Sequence, residues 1–224
     1  MSARPALSGK RIVITGVSRG VGFETARLFL KEGAEILGVA RDPARLESAR
    51  RELDPSGERL TVLAADLTER EASARVAAAA EKRFGALDVL FSNAGVQIDG
   101  SAKGIAQVSD ELMERAFAAN LWAPYWLSRA LLPLLRRGHE PRLVNVSSGA
   151  GNFESMRSLD IPSYRLSKWA LNGFTMLLAK ELAGIVAVNA FDPGWVRTDL
   201  GGPSAPGHPR ESAVGALAIV TMPF

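Results

Sequence analysis

The chain has 224 residues, a formal net charge of +3 and 47% apolar residues, which is enough for one sizeable core and argues against a basic nucleic-acid-binding face. It has no cysteine and only two histidines, which excludes disulfide bonds, thiolate nucleophiles and multi-histidine or cysteine-ligated metal centres. Residues 1–10 lack the apolar segment of a signal peptide and no apolar run approaches membrane-spanning length, so we expect a cytoplasmic protein without a metal, nucleic-acid or membrane partner.

Short apolar runs alternate with longer amphipathic stretches along the chain. The predicted strands lie at 11–15, 35–40, 60–65, 87–92, 142–147 and 185–191. They are rich in Val, Ile and Leu without clean alternation, which is typical of parallel strands buried on both faces. The predicted helices lie at 21–31, 43–53, 69–84, 110–135, 163–182 and 211–219. This alternation predicts an α/β fold with a doubly wound parallel sheet in three layers, and no linker divides it, so we expect one domain over 1–224.

A glycine-rich turn directly follows the first predicted strand. Glycines allow a tight turn and a close approach of backbone to a pyrophosphate, and the next helix presents free N–H groups at its positive end. The alternative is a strand–helix connection that only needs positive φ angles. We predict that this turn binds the phosphates of a nucleotide through Gly16, Ser18, Arg19, Gly20, Val21 and Gly22.

The end of the second predicted strand indicates which nucleotide is bound. In NAD-preferring sites an acidic residue there accepts hydrogen bonds from the ribose hydroxyls, whereas this chain has Ala40 followed by Arg41. Arg41 can pair with a ribose 2′-phosphate, and Arg19 could add a second cation. The alternative is that Arg41 extends into solvent while Asp42 caps the next helix. We predict NADP(H) as the preferred cofactor, with NAD(H) possible.

Tyr164 and Lys168 stand at positions i and i+4 of the predicted helix 163–182 and therefore share one helical face. An unperturbed tyrosine, with a pKa of about 10, is a poor acid–base catalyst at neutral pH. A neighbouring ammonium favours the phenolate, so we predict that Lys168 lowers the pKa of Tyr164 and that Tyr164 exchanges a proton with a substrate. The alternative is a surface tyrosine beside a solvated lysine.

With further motifs in chain order, these residues resemble the short-chain dehydrogenase/reductase family, and the resemblance covers nearly the whole chain. It implies a Rossmann fold and an oxidoreductase that transfers hydride between NADP(H) and a small carbonyl compound or secondary alcohol. It implies four catalytic residues: Asn120, Ser148, Tyr164 and Lys168. Beyond the glycine turn and Arg41, it implies these cofactor-binding residues: Asp66, Leu67, Asn93, Ala94, Gly95, Tyr164, Lys168, Pro193, Gly194, Val196 and Thr198.

The resemblance also implies the role of each catalytic residue. Tyr164 donates a proton to the carbonyl oxygen, Lys168 holds the nicotinamide ribose hydroxyls, and Ser148 hydrogen-bonds the substrate oxygen. Asn120, in a helix that Pro124 interrupts, places a backbone carbonyl and a water near Lys168. The alternative function is a non-catalytic NADP(H)-binding sensor of the same fold.

The stretch between Ser148 and Tyr164 is a few residues longer than is usual in the family, and this leaves Ser147 as an alternative to Ser148. The extra residues lie in the loop 151–163, which we expect to border the substrate. Together with the loop after the sixth strand it is expected to present an apolar wall: Phe153, Met156, Leu159 and Trp195.

Two expectations concern the whole molecule. The family usually continues past a helix such as 211–219 into a last strand, whereas this chain stops at Phe224, which predicts an exposed sheet edge. The predicted helices 110–135 and 163–182 are apolar over more than one face, and related enzymes pair through these helices. We therefore predict a homodimer or homotetramer.

Overall fold

The computed structural model describes residues 5–224, so the first four residues of the segment predicted to lack a signal peptide lie outside it. All strands pair in parallel in one six-stranded sheet with the order β3-β2-β1-β4-β5-β6. The strands are β1 (Arg11–Thr15), β2 (Glu35–Ala40), β3 (Leu60–Ala64), β4 (Val89–Ser92), β5 (Arg142–Val146) and β6 (Ala187–Phe191). The helices are α1 (Gly20–Lys31), α2 (Pro43–Leu53), α3 (Arg70–Phe84), α4 (Asp110–Phe117), α5 (Ala123–Leu135), α6 (Pro162–Glu181) and α7 (Pro209–Thr221).

Helices cover both faces of this sheet, which confirms the doubly wound α/β/α fold. On one face α1, α2 and α7 enclose a core centred on Phe29 and Phe91, whose ring centroids lie 6.0 Å apart. On the other face α3, α5 and the end of α6 enclose a second core, with Val76 and Leu131 fully buried against β1 and β4. Because both faces are dry, the strands could be recognised as continuous apolar runs.

Two predicted strands begin two residues too early. The amides of Ile185 and Val186 donate to the carbonyl of Leu182, at 2.9 and 3.0 Å, and so close the turn after α6 before β6 begins. The amide of Leu87 donates to the carbonyl of Leu134 in α5, so the ladder of β4 starts only at Val89. Leu87 and Val186 are buried in turns next to the sheet, and their hydropathy alone does not distinguish a buried turn from a strand.

The predicted helix 110–135 is two helices joined by a π-helical turn at Ala118–Trp122. Pro124 has no N–H to donate to the carbonyl of Asn120 four residues earlier, so the regular α-helical ladder cannot continue through this point. The wider turn contains Asn120. The helix is interrupted near Pro124, as predicted, but the sequence did not predict that the interruption is a π-helical turn.

The sheet of residues 5–224 ends at β6, whose outer edge pairs with no other strand of the described chain. This confirms the expectation that a last strand is missing from the sheet. Within the same residues, no helix combines the length and hydropathy that crossing a lipid bilayer requires.

Candidate active site

A cleft of about 1290 Å³ lies along the carboxyl ends of the strands. The connection after β1 leads to β2 on one side and the connection after β4 leads to β5 on the other, so a crevice opens between the neighbouring strands β1 and β4. Doubly wound sheets bind ligands at such a crevice. All the predicted catalytic and cofactor-binding residues line it except Gly22 and Asn120. Most of the predicted residues therefore line the cleft, and Gly22 and Asn120 lie behind it.

Gly22 is a close-packing residue. A Cβ atom at this position would lie 2.4 Å from the carbonyl oxygen of Gly16 and 2.4 Å from Nδ2 of Asn93. Gly16 has a φ of +76° and is equally crowded, with Asn93 Nδ2 at 2.7 Å from where its Cβ would be. The Asn93 amide also donates to the carbonyl of Thr15 at 2.8 Å. Gly22 therefore holds the turn closed, and its contact with a cofactor stays a prediction.

The helix α1 opens into the cleft without a side-chain cap. Its N-cap residue Arg19 makes no capping hydrogen bond, and its first turn contains no acidic residue. The free N–H groups and the positive end of the helix dipole therefore suit an anionic group. The Arg19 guanidinium pairs with Asp199 and is not a free second cation. These features fit the phosphates of a dinucleotide.

Thr198 stands opposite this turn. Its methyl carbon would be 3.2 Å from a Cβ atom at Gly20, and its hydroxyl accepts the N–H of Gly201 at 3.0 Å. Gly20 has a φ of +63°, so a side chain there would be strained as well as crowded. The segment after β6 therefore forms the second wall of the phosphate end of the cleft.

At the adenosine end, Asp42 caps α2, because its Oδ1 accepts the N–H groups of Ala44 and Arg45, each at 3.0 Å. Arg41 is largely exposed beside the cleft, 3.9 Å from Oδ2 of Asp66. Burial raises the pKa of the Asp66 carboxyl, but hydrogen bonds from the side chain and backbone of Thr68, helped by the charge of Arg41, lower that pKa overall. Arg45 also lines this end, a residue that the sequence analysis missed.

Ser148, Tyr164 and Lys168 meet where β5 ends. The Ser148 hydroxyl lies beside the phenol of Tyr164 and lowers the pKa of that phenol, and it accepts the N–H of Ala150 at 3.1 Å. The Lys168 ammonium donates to the carbonyl of Val146 at 2.8 Å and lies 5.8 Å from the centre of the Tyr164 ring. The hydroxyl of Ser147 is buried without a partner. Ser148 is therefore the serine that reaches Tyr164.

The predicted direction of the tyrosine pKa is wrong for the protein alone. Burial of the phenol raises the pKa of Tyr164, the negative charge of Asp192 adds to this, and the hydrogen bond from Ser148 opposes it. Lys168 does not offset these effects, since its ammonium is directed to the carbonyl of Val146. Complete burial in turn lowers the pKa of Lys168 to about 8.

Asn120 is fully buried and connects two segments of the site. Its side chain exchanges two hydrogen bonds with the backbone of Val96, at 2.8 and 2.9 Å, and donates to the hydroxyl of Ser167 at 3.0 Å. Gly95 lies just in front, where a Cβ would be 3.0 Å from Asn120 Oδ1 and 3.4 Å from Lys168 Nζ. The asparagine therefore joins the loop after β4 to α6 behind Lys168.

Asp99 is a site residue that the sequence analysis missed. Its buried carboxylate accepts the N–H of Ser163 at 2.7 Å and the N–H of Tyr164 at 3.2 Å. The helix α6 has no cap of its own, since Ile161 at the N-cap has left-handed angles of φ 45° and ψ 48° and makes no side-chain bond. The position immediately before Pro162 is Ile161 and not Ser, Thr, Asp or Asn, which indicates that another segment supplies the cap.

The expected apolar wall is mostly wrong. Phe153 and Leu159 are 79% and 67% exposed, and neither they nor Met156 line the cleft. A short 3₁₀ turn at Phe153–Arg157 folds this loop over the outer surface. Trp195 does line the cleft, as expected.

The sequence profile of the family described as short chain dehydrogenase matches residues 10–208. The chain belongs to the short-chain dehydrogenase/reductase family. It is thus an oxidoreductase of a family that binds NAD(P), and the resemblance inferred from the motifs is confirmed.

Three similar proteins illustrate the breadth of this family. The NADPH-dependent pterin aldehyde reductase of Arabidopsis thaliana is 32% identical over 199 residues, which is 89% of this chain and 80% of that protein. A short-chain type dehydrogenase/reductase of Picea abies is 32% identical over 205 residues, 87% of this chain and 73% of the relative. A short-chain dehydrogenase/reductase of unknown function from Caenorhabditis elegans, solved with cofactor, superposes with a TM-score of 0.88 at 28% identity, covering 97% of this chain and 90% of the other.

Proposed function

We propose that this protein reduces the carbonyl group of a small ketone or aldehyde with NADPH, or oxidises the corresponding alcohol with NADP⁺, and that Tyr164 is the general acid and base. The observation that carries this proposal is that Ser148, Tyr164 and the buried Lys168 lie together in the cleft that also contains the glycine turn. The name of the pterin aldehyde reductase relative supports the same reaction class.

A bound nicotinamide dinucleotide supplies the hydride, and this chain supplies position and a proton. The free N–H groups at the start of α1 would hold the pyrophosphate. Lys168 would hold the nicotinamide ribose hydroxyls, and the backbone at Pro193 and Gly194 would border the nicotinamide.

The phenol of Tyr164 is protonated at neutral pH and so has a proton to give to a carbonyl oxygen. Ser148 would donate a hydrogen bond to the same oxygen and stabilise the negative charge that develops there. Tyr164 is held by α6 and Ser148 by the end of β5, so two different elements position the two groups.

Three observations support a preference for NADP(H). Arg41 is exposed at the adenosine end of the cleft, position 40 is an alanine, and Asp42 is occupied as the cap of α2. Arg45 also lines this end, where its Nε lies 3.5 Å from Oδ2 of Asp42. The non-catalytic sensor is not favoured, since Ser148, Tyr164 and Lys168 lie together in the cleft and only Asp160 and Ile161 of the loop 151–163 line it.

We also infer one catalytic domain over the described chain and a homodimer or homotetramer. The outer face of α6, and Trp122 in the turn before α5, carry solvent-exposed apolar side chains. A cytoplasmic location is part of the same proposal.

A panel of ketones and aldehydes, assayed by loss of NADPH absorbance, tests the function. We expect turnover with at least one member, and Tyr164→Phe should reduce kcat by about a thousandfold or more because general acid catalysis and alignment are lost together. Fluorescence titration should show NADPH bound nearly as tightly by this variant and NADH bound more weakly by both proteins.

The matched control is Tyr125→Phe, which changes the only other tyrosine of the chain, on α5. It should retain activity. Turnover by Tyr164→Phe close to the unmodified rate would refute the catalytic assignment, and equal affinity for NADH and NADPH would refute the cofactor preference.

A further inference from the structure

Asp192 is a carboxylate on the wall of the cleft that the reaction does not use. It follows β6 and lines the same cleft as Ser148 and Tyr164. Its Oδ1 accepts the N–H of Gly194 at 2.9 Å, which fixes the side chain. Its Oδ2 has no hydrogen bond within residues 5–224 and faces Gly149, where a Cβ atom would be only 3.1 Å away. One oxygen is thus held and the other is available beside the reacting groups.

The cations near the reacting groups are directed to other partners. Arg165 donates from Nε to the backbone carbonyl of Asp160 at 2.9 Å, and its other guanidinium nitrogen pairs with the Asp160 carboxylate. The Lys168 ammonium donates to the carbonyl of Val146 at 2.8 Å. In the described chain no cation lies within 4.0 Å of Asp192, so its carboxylate has no ion-pair partner there.

The charge of Asp192 reaches the reacting groups. It is one of the causes that raise the pKa of the Tyr164 phenol. A carbonyl oxygen held by Ser148 and Tyr164 would bring the neighbouring atoms of a substrate into the same field. Trp195, Leu200 and Ile161 line the adjoining surface and offer an apolar contact for the rest of such a molecule.

Building on the proposed function, we propose that Asp192 selects substrates by their charge. The cleft accepts carbonyl compounds that carry a protonated amine close to the carbonyl group on an otherwise apolar body. It rejects carbonyl compounds that carry a carboxylate at the same place. A substrate group with the same charge as Asp192 makes the free energy of binding less favourable, and a group of opposite charge makes it more favourable. Solvent reduces both effects because Asp192 is exposed.

The test compares three aryl ketones of similar size: 2-aminoacetophenone with the amine on the methyl carbon, propiophenone and benzoylformate. We expect kcat/KM with NADPH to fall in the order cation, neutral, anion. Asp192→Asn should reduce the cation-to-anion ratio by about tenfold or more, and since each compound is compared with itself, its intrinsic reactivity cancels. Glu154→Gln removes an exposed carboxylate from the neighbouring loop, outside the cleft, and should leave the ratio unchanged.

A binding measurement separates this proposal from the proposed function. Calorimetric titration of the three compounds onto Tyr164→Phe saturated with NADPH reports the charge preference without turnover. The same order there, lost in Asp192→Asn, supports the role of Asp192 even if no ketone is reduced. The role of Asp192 would be overturned if Asp192→Asn left the cation-to-anion ratio unchanged in both kinetics and binding, or if it changed the NADPH affinity alone. Reduction of propiophenone would still support the proposed function in that case.

Discussion

Lys168 is the clearest case in which burial decides the chemistry of one residue. Its ammonium is enclosed, donates to the carbonyl of Val146 at 2.8 Å, and has its pKa lowered to about 8 by loss of water. The spacing of Tyr164 and Lys168 predicts that the two side chains are neighbours, and they are. It does not predict the direction of either pKa, because desolvation depends on the loops that close over the pair.

This shift makes stability depend on pH. In the unfolded chain a lysine titrates at about 10.4, so between pH 8 and that value the unfolded state binds more protons than the folded state. Stability should therefore rise with pH across this window, by roughly 3 kcal/mol in total, the largest part below pH 10. Urea unfolding at a series of pH values measures the free energy of unfolding, and Lys168→Met is the control.

The contribution of Lys168 is the part of the pH dependence that Lys168→Met lacks. Below pH 8 both states are protonated, so the buried charge destabilises the unmodified protein most there. Parallel stability curves for the two proteins between pH 8 and 10 would contradict the lowered pKa.

At the scale of elements, α6 is positioned by a residue from a distant loop. Asp99 supplies the cap that the sequence before Pro162 lacks, and it binds the N–H of Tyr164 itself. A carboxylate at a helix N-terminus also interacts favourably with the helix dipole. The catalytic tyrosine of the proposed mechanism therefore has its backbone fixed by the loop that follows β4.

We expect Asp99→Ala to lower the free energy of unfolding by about 1–3 kcal/mol, because two buried N–H groups lose their acceptor. It should also lower kcat about tenfold or more with little change in NADPH affinity, since Tyr164 moves while the glycine turn stays. Denaturant unfolding and steady-state kinetics measure these effects. Asp110→Ala, in the exposed first turn of α4, is the control.

A smaller loss in Asp99→Asn, which keeps one acceptor oxygen, would strengthen this interpretation. If Asp99→Ala lost stability but kept its full kcat, Asp99 would be a structural cap without influence on Tyr164.

The elements show where sequence reasoning works and where it stops. The strands could be predicted because most of the sheet is buried on both faces, so β1, β2 and β4 are nearly continuous apolar runs. The turn at Ala118–Trp122 could not, because its form depends on hydrogen bonds of Asn120 to Val96 and Ser167 that only the folded chain brings together. The loop 151–163 failed for a similar reason: its apolar residues indicate burial in a pocket, but local turns direct them outward.

At the scale of the whole molecule, one surface is unusually apolar. Met176 and Leu177 on α6 are 70% and 69% exposed, and Trp169 on the same helix and Trp122 beside α5 are about half exposed. Trp122 also stacks on Trp126, with ring centroids 6.3 Å apart. Contiguous apolar side chains of this size on a monomer surface are typical of an interface.

We expect light scattering after size exclusion to give the mass of a dimer or tetramer at micromolar concentration. Leu177→Lys together with Met176→Lys should shift the protein to a monomer, because two charges would have to be buried without partners. Val214→Lys, at an exposed position on α7, is the control and should keep the native mass. A monomer in the unmodified protein would contradict the prediction.

The apolar surface and Lys168 both lie on α6. If the monomeric variant keeps its fold but loses activity, pairing of the subunits holds the catalytic helix in place.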